Sequence, residues 1–408
     1  MPLRLPRSDL SQPVLAGVVG ALAGFASSFA LVLAGLRAVG ATREEAASGL
    51  LALCLGQAIV ALALTMRYRM PISVAWSTPG AALLVAARGT TGDYRSAVGA
   101  FLLCGVLLAI TGAWPRLTRV MTSIPAPIAS AMLAGILLPI CLAPVIASFR
   151  MPLLALPAVL VWVVLWRLAP RWSTPGAVVA ALVAILVAAG PTWADGATLV
   201  PTLRFTMPAL DPLVVVGLGI PLYVVTMAGQ NIPGFAVLTT FGYRAIPARA
   251  ILVGTGIGTV ATATFGGYAI NLSALSAAIM AGPESHPDPA RRWVATISSS
   301  VSYLLLGLAA GLVTALVAAG PPILVTAVAG LALLGALVQA ITAALADAEH
   351  RIVAIATFLV VASGIALAGI GSAFWGLVVG GALLLVQRAG RRRGGAAPGA
   401  ESEPDAAR

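Results

Sequence analysis

The chain is a succession of apolar runs, most of them about long enough to cross a bilayer and most separated by short pauses. A membrane helix needs about 20 apolar residues. Runs near that length recur at 14–36, 48–66, 72–87, 97–114, 124–146, 153–168 and 174–189. They resume at 213–241, 250–263, 265–281, 294–318, 323–345, 352–370 and 372–387. Only 9% of the 408 residues are charged and 60% are hydrophobic, against roughly 25% charged in soluble domains. The expectation is an all-α polytopic membrane protein with fourteen segments. The first run is too long for the apolar core of a cleavable signal.

Arginine placement orients the segments. The net charge is +11 and there is no lysine. With the N-terminus inside, Arg37, Arg43, Arg88, Arg95, Arg150 and Arg204 fall outside, leaving 18 of the 24 arginines (24 minus 6) inside. That bias follows the positive-inside rule and places both termini in the cytoplasm of a bacterial-type inner membrane. It also explains the basic charge without nucleic acid. The largest break, 190–211, carries Pro191, Pro201 and Pro208 and divides the segments seven and seven. Seven is odd, so the halves, residues 10–190 and 205–390, are expected to form an inverted repeat. Residues 391–408 read as a disordered cytoplasmic tail.

The third segment of each half departs from a continuous helix. In the first, Ile72, Val74 and Trp76 alternate with small residues, the period of a strand. Thr78 followed by Pro79 then reads as an N-cap and first helical position. Five extended residues cover roughly 17 Å and nine helical ones roughly 14 Å, so the junction falls near mid-membrane. In the second, Val260, Thr262 and Thr264 alternate before Gly266-Gly267, placing a second half-helix near Ala269. Two half-helix N-termini at mid-depth offer free N–H groups to an anion without any arginine.

Polar side chains at membrane depth are costly and mark sites or interhelical contacts. Gln230 and Asn231 stand together before Pro233, and Ser27 and Ser28 interrupt the first segment. Candidate substrate-binding residues are Gln230, Asn231, Asn271, Thr78, Ser77 and Ser28, with Phe29, Trp76 and Tyr268 as a slot for a ring. The acids and both histidines fall in loops or near segment ends. No aspartate cluster for magnesium or nucleophile–base pair is present, so an enzyme is not expected, and neither is a cofactor or a metal. The three cysteines lie in apolar runs without metal-ligand spacing.

Ser27-Ser28-Phe29, residues 227–234, Ala269-Ile270-Asn271-Leu272 and the loop 282–293 together resemble the benzoate permease (BenE) family. The similarity runs from about residue 10 to 387. It implies proton-coupled uptake of benzoate or a related aromatic carboxylate, in a fold similar to that of uracil and sulfate permeases. Segments 1–4 and 8–11 would form a core domain and 5–7 and 12–14 a gate domain; a homodimer is compatible with it. The uracil permeases carry glutamates in the eighth and tenth segments; the matching positions here are Gly229 or Gln230, and Gly267. A carboxylic acid substrate could instead carry the proton itself, since an anion is costly in low dielectric. A nucleobase or inorganic-anion permease of the same fold is the alternative.

Overall fold

A computed structural model describes residues 10–114, 116, 126–190, 199–273, 275–367 and 370–394. The first half contains α1 (Ser11–Ala38), α2 (Arg43–Tyr68), β1 (Val74–Trp76), α3 (Thr78–Ala86), α4 (Tyr94–Ala113), α5 (Ala126–Arg150), α6 (Pro152–Leu168) and α7 (Ser173–Ala189). The second contains α8 (Pro212–Thr226), a π turn (Met227–Asn231), α9 (Ile232–Thr240), α10 (Ala248–Ala263), β2 (Ile270–Leu272) and α11 (Leu275–Ala281). It continues with α12 (Trp293–Leu308), α13 (Ala310–Ala319), α14 (Pro322–Leu345), α15 (Arg351–Ala362) and α16 (Ser372–Gly394). Among the described residues, six helices are long and apolar enough to cross a membrane, or seven if the pair 289–308 and 310–319, bent by 56°, is one span.

Local chemistry sets the helix starts. Thr42 and Glu45 form a reciprocal capping box on α2: Glu45 N–H donates to Thr42 Oγ1 (3.2 Å) and Thr42 N–H to Glu45 Oε2 (2.8 Å). Asp93 caps α4 and Asp211 caps α8, where Pro212 opens the helix. Small residues let helices meet backbone to backbone. A Cβ on Gly105 would lie 2.9 Å from Val260 N, and one on Gly35 2.8 Å from Ala81 O.

The helices pack in two groups. In one, α4 lies along α10 and α8, while α12 lies along α1 and α2. In the other, α5 lies along α14 and α15, α6 along α7, and α15 along α16. Contacts of α1 with α14, and of α3 with α5, join the groups.

Polar contacts tie element ends to two opposite faces. On one face, Arg204 pairs with Glu44 (3.1 Å), Arg95 Nε donates to Met207 O (3.1 Å) and Thr206 N–H to Thr264 O (2.7 Å). On the other, Gln12 Nε2 donates to Glu284 O (3.0 Å) and Tyr243 OH to Pro289 O (3.1 Å). The starts of α2 and α4 therefore share a face, so β1 and α3 together return across the molecule. By the same reasoning β2 and α11 run from the Thr264 face to the Pro289 face.

Several expectations need correction. The second strand is 270–272, not 260–264, because that stretch is helical as far as Ala263. Thr255, Thr259 and Thr262 each donate to the carbonyl four residues back at 2.9 Å, in Ile251, Thr255 and Gly258. The second half-helix consequently begins at Leu275 rather than near Ala269, and Asn271 stands in the strand. The cap of α3 is Ser77, one residue before Thr78, since its hydroxyl accepts from Gly80 N–H (3.0 Å). The thirteenth segment stops being helical at Ala362, and α16 continues to Gly394 into the supposed tail. The remaining tail, 395–408, and the basic N-terminus with Arg4 and Arg7 lie outside the described residues.

Candidate functional site

Near the centre of the first group, β1 and β2 pair antiparallel, with Val74 opposite Leu272, Ala75 opposite Asn271 and Trp76 opposite Ile270. The ladder continues symmetrically at both ends: Ser77 N–H donates to Ala269 O (3.0 Å) and Ser273 N–H to Ser73 O (2.9 Å). Each strand then gives way to a helix under a serine cap. Ser77 Oγ accepts from Gly80 N–H, and Ser273 Oγ accepts from Ser276 N–H (3.1 Å). Irregular backbone at this depth is tolerable because its polar groups are satisfied internally.

Buried side chains complete that satisfaction. Thr226 Oγ1 donates to Ser77 Oγ (2.9 Å), and Tyr268 OH donates to Ser77 O (3.1 Å). Ile270 N–H donates to Thr259 Oγ1 (2.9 Å). Asn231 accepts at Oδ1 from Leu272 N–H (2.9 Å) and donates from Nδ2 to Met227 Sδ (3.4 Å), so it pins the π turn to β2. The Asn271 amide is satisfied with its oxygen toward Ser77 N–H (2.9 Å) and its nitrogen toward Leu272 O (3.0 Å).

The candidate aromatic residues lie inside this scaffold. Trp76 Nε1 donates to Ser28 Oγ (3.0 Å), and Ser28 Oγ in turn donates to Gly24 O (2.8 Å). Phe25 stacks on Phe29 at 5.3 Å and meets Trp76 edge-on at 5.9 Å; Trp76 meets Tyr303 at 5.7 Å. Tyr268 sits apart from these rings, against Phe101 at 6.1 Å. Phe29, Trp76 and Tyr268 are 4%, 3% and 0% exposed, so none lines an open slot in this conformation.

Surface opens beside them. Ala75, Thr78, Ala228, Gly229 and Gln230 are half-buried. Gly229 packs on α3: a Cβ there would lie 3.1 Å from Pro79 Cγ and 3.6 Å from Leu133 Cδ2 of α5. The π turn thus meets the start of α3 where the two helix groups face each other. π turns inside helices are frequent at functional sites, since the extra residue redirects its neighbours. The described acids are exposed or, for Glu45, half-buried, and none belongs to this region.

Sequence reasoning missed Thr226, Thr259, Ser273 and Tyr303. Only Ser273 left a signal: Ser77 and Ser273 both follow a strand and precede a half-helix. It also missed Gln57 in α2, 1% exposed, with neither amide atom partnered among the described residues. Two clefts lie away from the strand crossing. One of about 370 Å³ runs between Leu83, Ala87, Leu213, Gly217 and Ser372; another of about 340 Å³ opens by Arg43 and Arg204.

The family model for the benzoate membrane transport protein, BenE, matches residues 8–386. The inner membrane protein YdcO of Escherichia coli (strain K12) is 37% identical over 375 residues, 91% of this chain and 95% of that protein. The benzoate membrane transport protein of Acinetobacter baylyi (strain ATCC 33305 / BD413 / ADP1) is 29% identical over 368 residues, 90% of this chain and 92% of that protein. Among solved structures, the transmembrane domain of the cyanobacterial bicarbonate transporter BicA matches with a TM-score of 0.57 at 16% identity, over 92% of this chain and 98% of that one. Murine Slc26a9, an anion transporter in the inward-facing state, matches with a TM-score of 0.63 at 12% identity, over 96% of this chain and 70% of that one. At such identities these structures establish the fold alone. By its sequence, the chain belongs to the BenE family of benzoate membrane transport proteins and is a multi-pass membrane transporter.

Proposed function

We propose that this transporter imports benzoate or a similar small aromatic carboxylate, with protons, by alternating access of a core domain against a gate domain. The observation that carries the reading is the half-buried surface where the start of α3 meets the π turn and the facing helix α5. A carboxylate there would meet the N-terminal dipole of α3, the Thr78 hydroxyl and the Gln230 amide, and charge-assisted bonds are the stronger kind. Ser77, Asn231, Asn271 and Tyr268 hold the strand crossing behind it, and Ser28 holds Trp76. The helix group with α1–α4 and α8–α13 serves as core, and that with α5–α7 and α14–α16 as gate.

The inverted repeat is supported by spacing. The starts of β1 and β2, α3 and α11, α4 and α12, α5 and α14, α6 and α15, and α7 and α16 lie 196 to 199 residues apart, as in 270 minus 74 and 372 minus 173. The register of the strand pair is symmetric about Ala75 and Asn271. With no described acid in the site, the proton travels on the substrate or on acids at the segment ends.

The burial of Phe29, Trp76 and Tyr268 favours a second reading, a small inorganic anion that needs no ring slot. The test is uptake of labelled benzoate by proteoliposomes of the purified protein under an inward proton gradient. Saturable uptake that sulfate and uracil fail to compete is expected. Uptake of labelled sulfate or bicarbonate with none of benzoate would overturn the aromatic reading.

A further inference from the structure

A second place on the molecule suits the same kind of ligand. The cleft of about 340 Å³ opens on the face that carries Glu44 and Arg204, opposite the Gln12 face. Its polar side is Arg43, Glu44, Arg204 and Thr202, and its apolar side includes Val200, Pro201 and Ala315. Arg204 is held: its backbone N–H donates to Ser48 Oγ (2.8 Å) and its guanidinium pairs with Glu44 (3.1 Å). Glu44 is thereby neutralised. The other acid of this helix end, Glu45, does not line the cleft, and its carboxylate accepts from Thr42 N–H.

Arg43 is different. It lines the cleft, is exposed, and makes no ion pair or side-chain hydrogen bond among the described residues. It also opens α2, where the helix dipole disfavours a cation. A guanidinium kept at a place unfavourable for the helix, beside an already matched ion pair and next to apolar side chains, offers one net positive charge and an apolar flank. An aromatic carboxylate has the complementary halves, an anionic end and an apolar ring.

We propose that this cleft is a capture site for the transported aromatic carboxylate, with Arg43 taking the carboxylate and the Val200, Pro201 and Ala315 wall taking the ring, from which the ligand passes on to the central site. The inference rests on the aromatic-acid reading. Capture at a charged mouth raises the encounter rate and is screened by salt.

The experiment measures initial rates of labelled benzoate uptake in proteoliposomes for wild type, Arg43→Gln, Arg43→Lys and Val200→Asp. Val200 is 75% exposed, so a carboxylate placed there should leave the fold intact. Removing a cation from a helix start should not lower the melting temperature, which separates lost capture from lost fold. The expected result is a KM raised about three- to tenfold in Arg43→Gln and Val200→Asp, with kcat unchanged and Arg43→Lys close to wild type. Raising salt from about 0.02 M to about 0.5 M should bring the wild-type KM toward that of Arg43→Gln. Saturable benzoate uptake with the same KM in all four proteins would overturn the capture site alone. Absence of benzoate uptake by the wild type would overturn the aromatic-acid reading and the capture site with it.

Discussion

Gln230 and Asn231 are adjacent amides of nearly the same chemistry, yet the fold uses them differently. Asn231 is fully buried, with its oxygen on β2 and its nitrogen on Met227. Gln230 is half-buried, next to Gly229, which packs on Pro79. The sequence marked both as polar groups at membrane depth, which is legible from residue type and hydropathy. Which of the two turns inward depends on a π turn that residue type does not encode. The proposed site makes Gln230 a donor to the carboxylate. Gln230→Ala should then weaken benzoate binding by roughly 1.5–3 kcal/mol, or about 10- to 150-fold. Gln230→Glu sets two negative charges together and should bind more weakly still. Isothermal titration at neutral pH measures both, and a Glu variant as tight as wild type would move the carboxylate away from this residue.

The two broken segments show why one strand was legible and the other was misplaced. Pro71 and Pro79 bracket the first and leave little room for a helix between them. In the second, Val260, Thr262 and Thr264 mimic a strand period, while Thr262, like Thr259 before it, bonds back along α10. The real strand, Ile270-Asn271-Leu272, is too short to show a period of its own. What holds it is tertiary: Thr259 on Ile270 N–H, Asn231 on Leu272 N–H and the pairing with β1. Those bonds join residues 11 and 41 positions apart, beyond any local pattern. Asn231→Leu would leave Leu272 N–H buried without an acceptor, a cost of about 1–3 kcal/mol. Its melting temperature should fall clearly below that of Gln230→Ala, in the presence or absence of benzoate. Equal melting temperatures for the two variants would contradict the role of Asn231 as the tie between the π turn and β2.

At the scale of the whole molecule, direction of crossing is what distinguishes an inverted repeat from a parallel one, and the broken segments decide it. If β2 and α11 returned to the face they left, the second half would hold one crossing fewer. The contacts at element ends argue the opposite. Thr264, just after α10, sits with Thr206 on the Arg204 face, while Pro289, just before α12, sits with Tyr243 on the other. On the proposed architecture the chain crosses three times between Arg204 and Arg292: through α8 with α9, through α10, and through β2 with α11. Three is odd, so the proposed architecture puts the two arginines in opposite compartments. Arginine asymmetry adds the expected sign: by the positive-inside rule the face with Gln12 and Arg292 should be the cytoplasmic one. Reporter fusions report this directly. A phosphatase fused after Arg204 should be active in the periplasm and inactive after Arg292, and a cytoplasmic fluorescent reporter should give the reverse. Activity in the same compartment at both positions would mean that one broken segment does not cross. The two strands would then no longer enter the membrane from opposite sides, and the seven-plus-seven inverted architecture would fall.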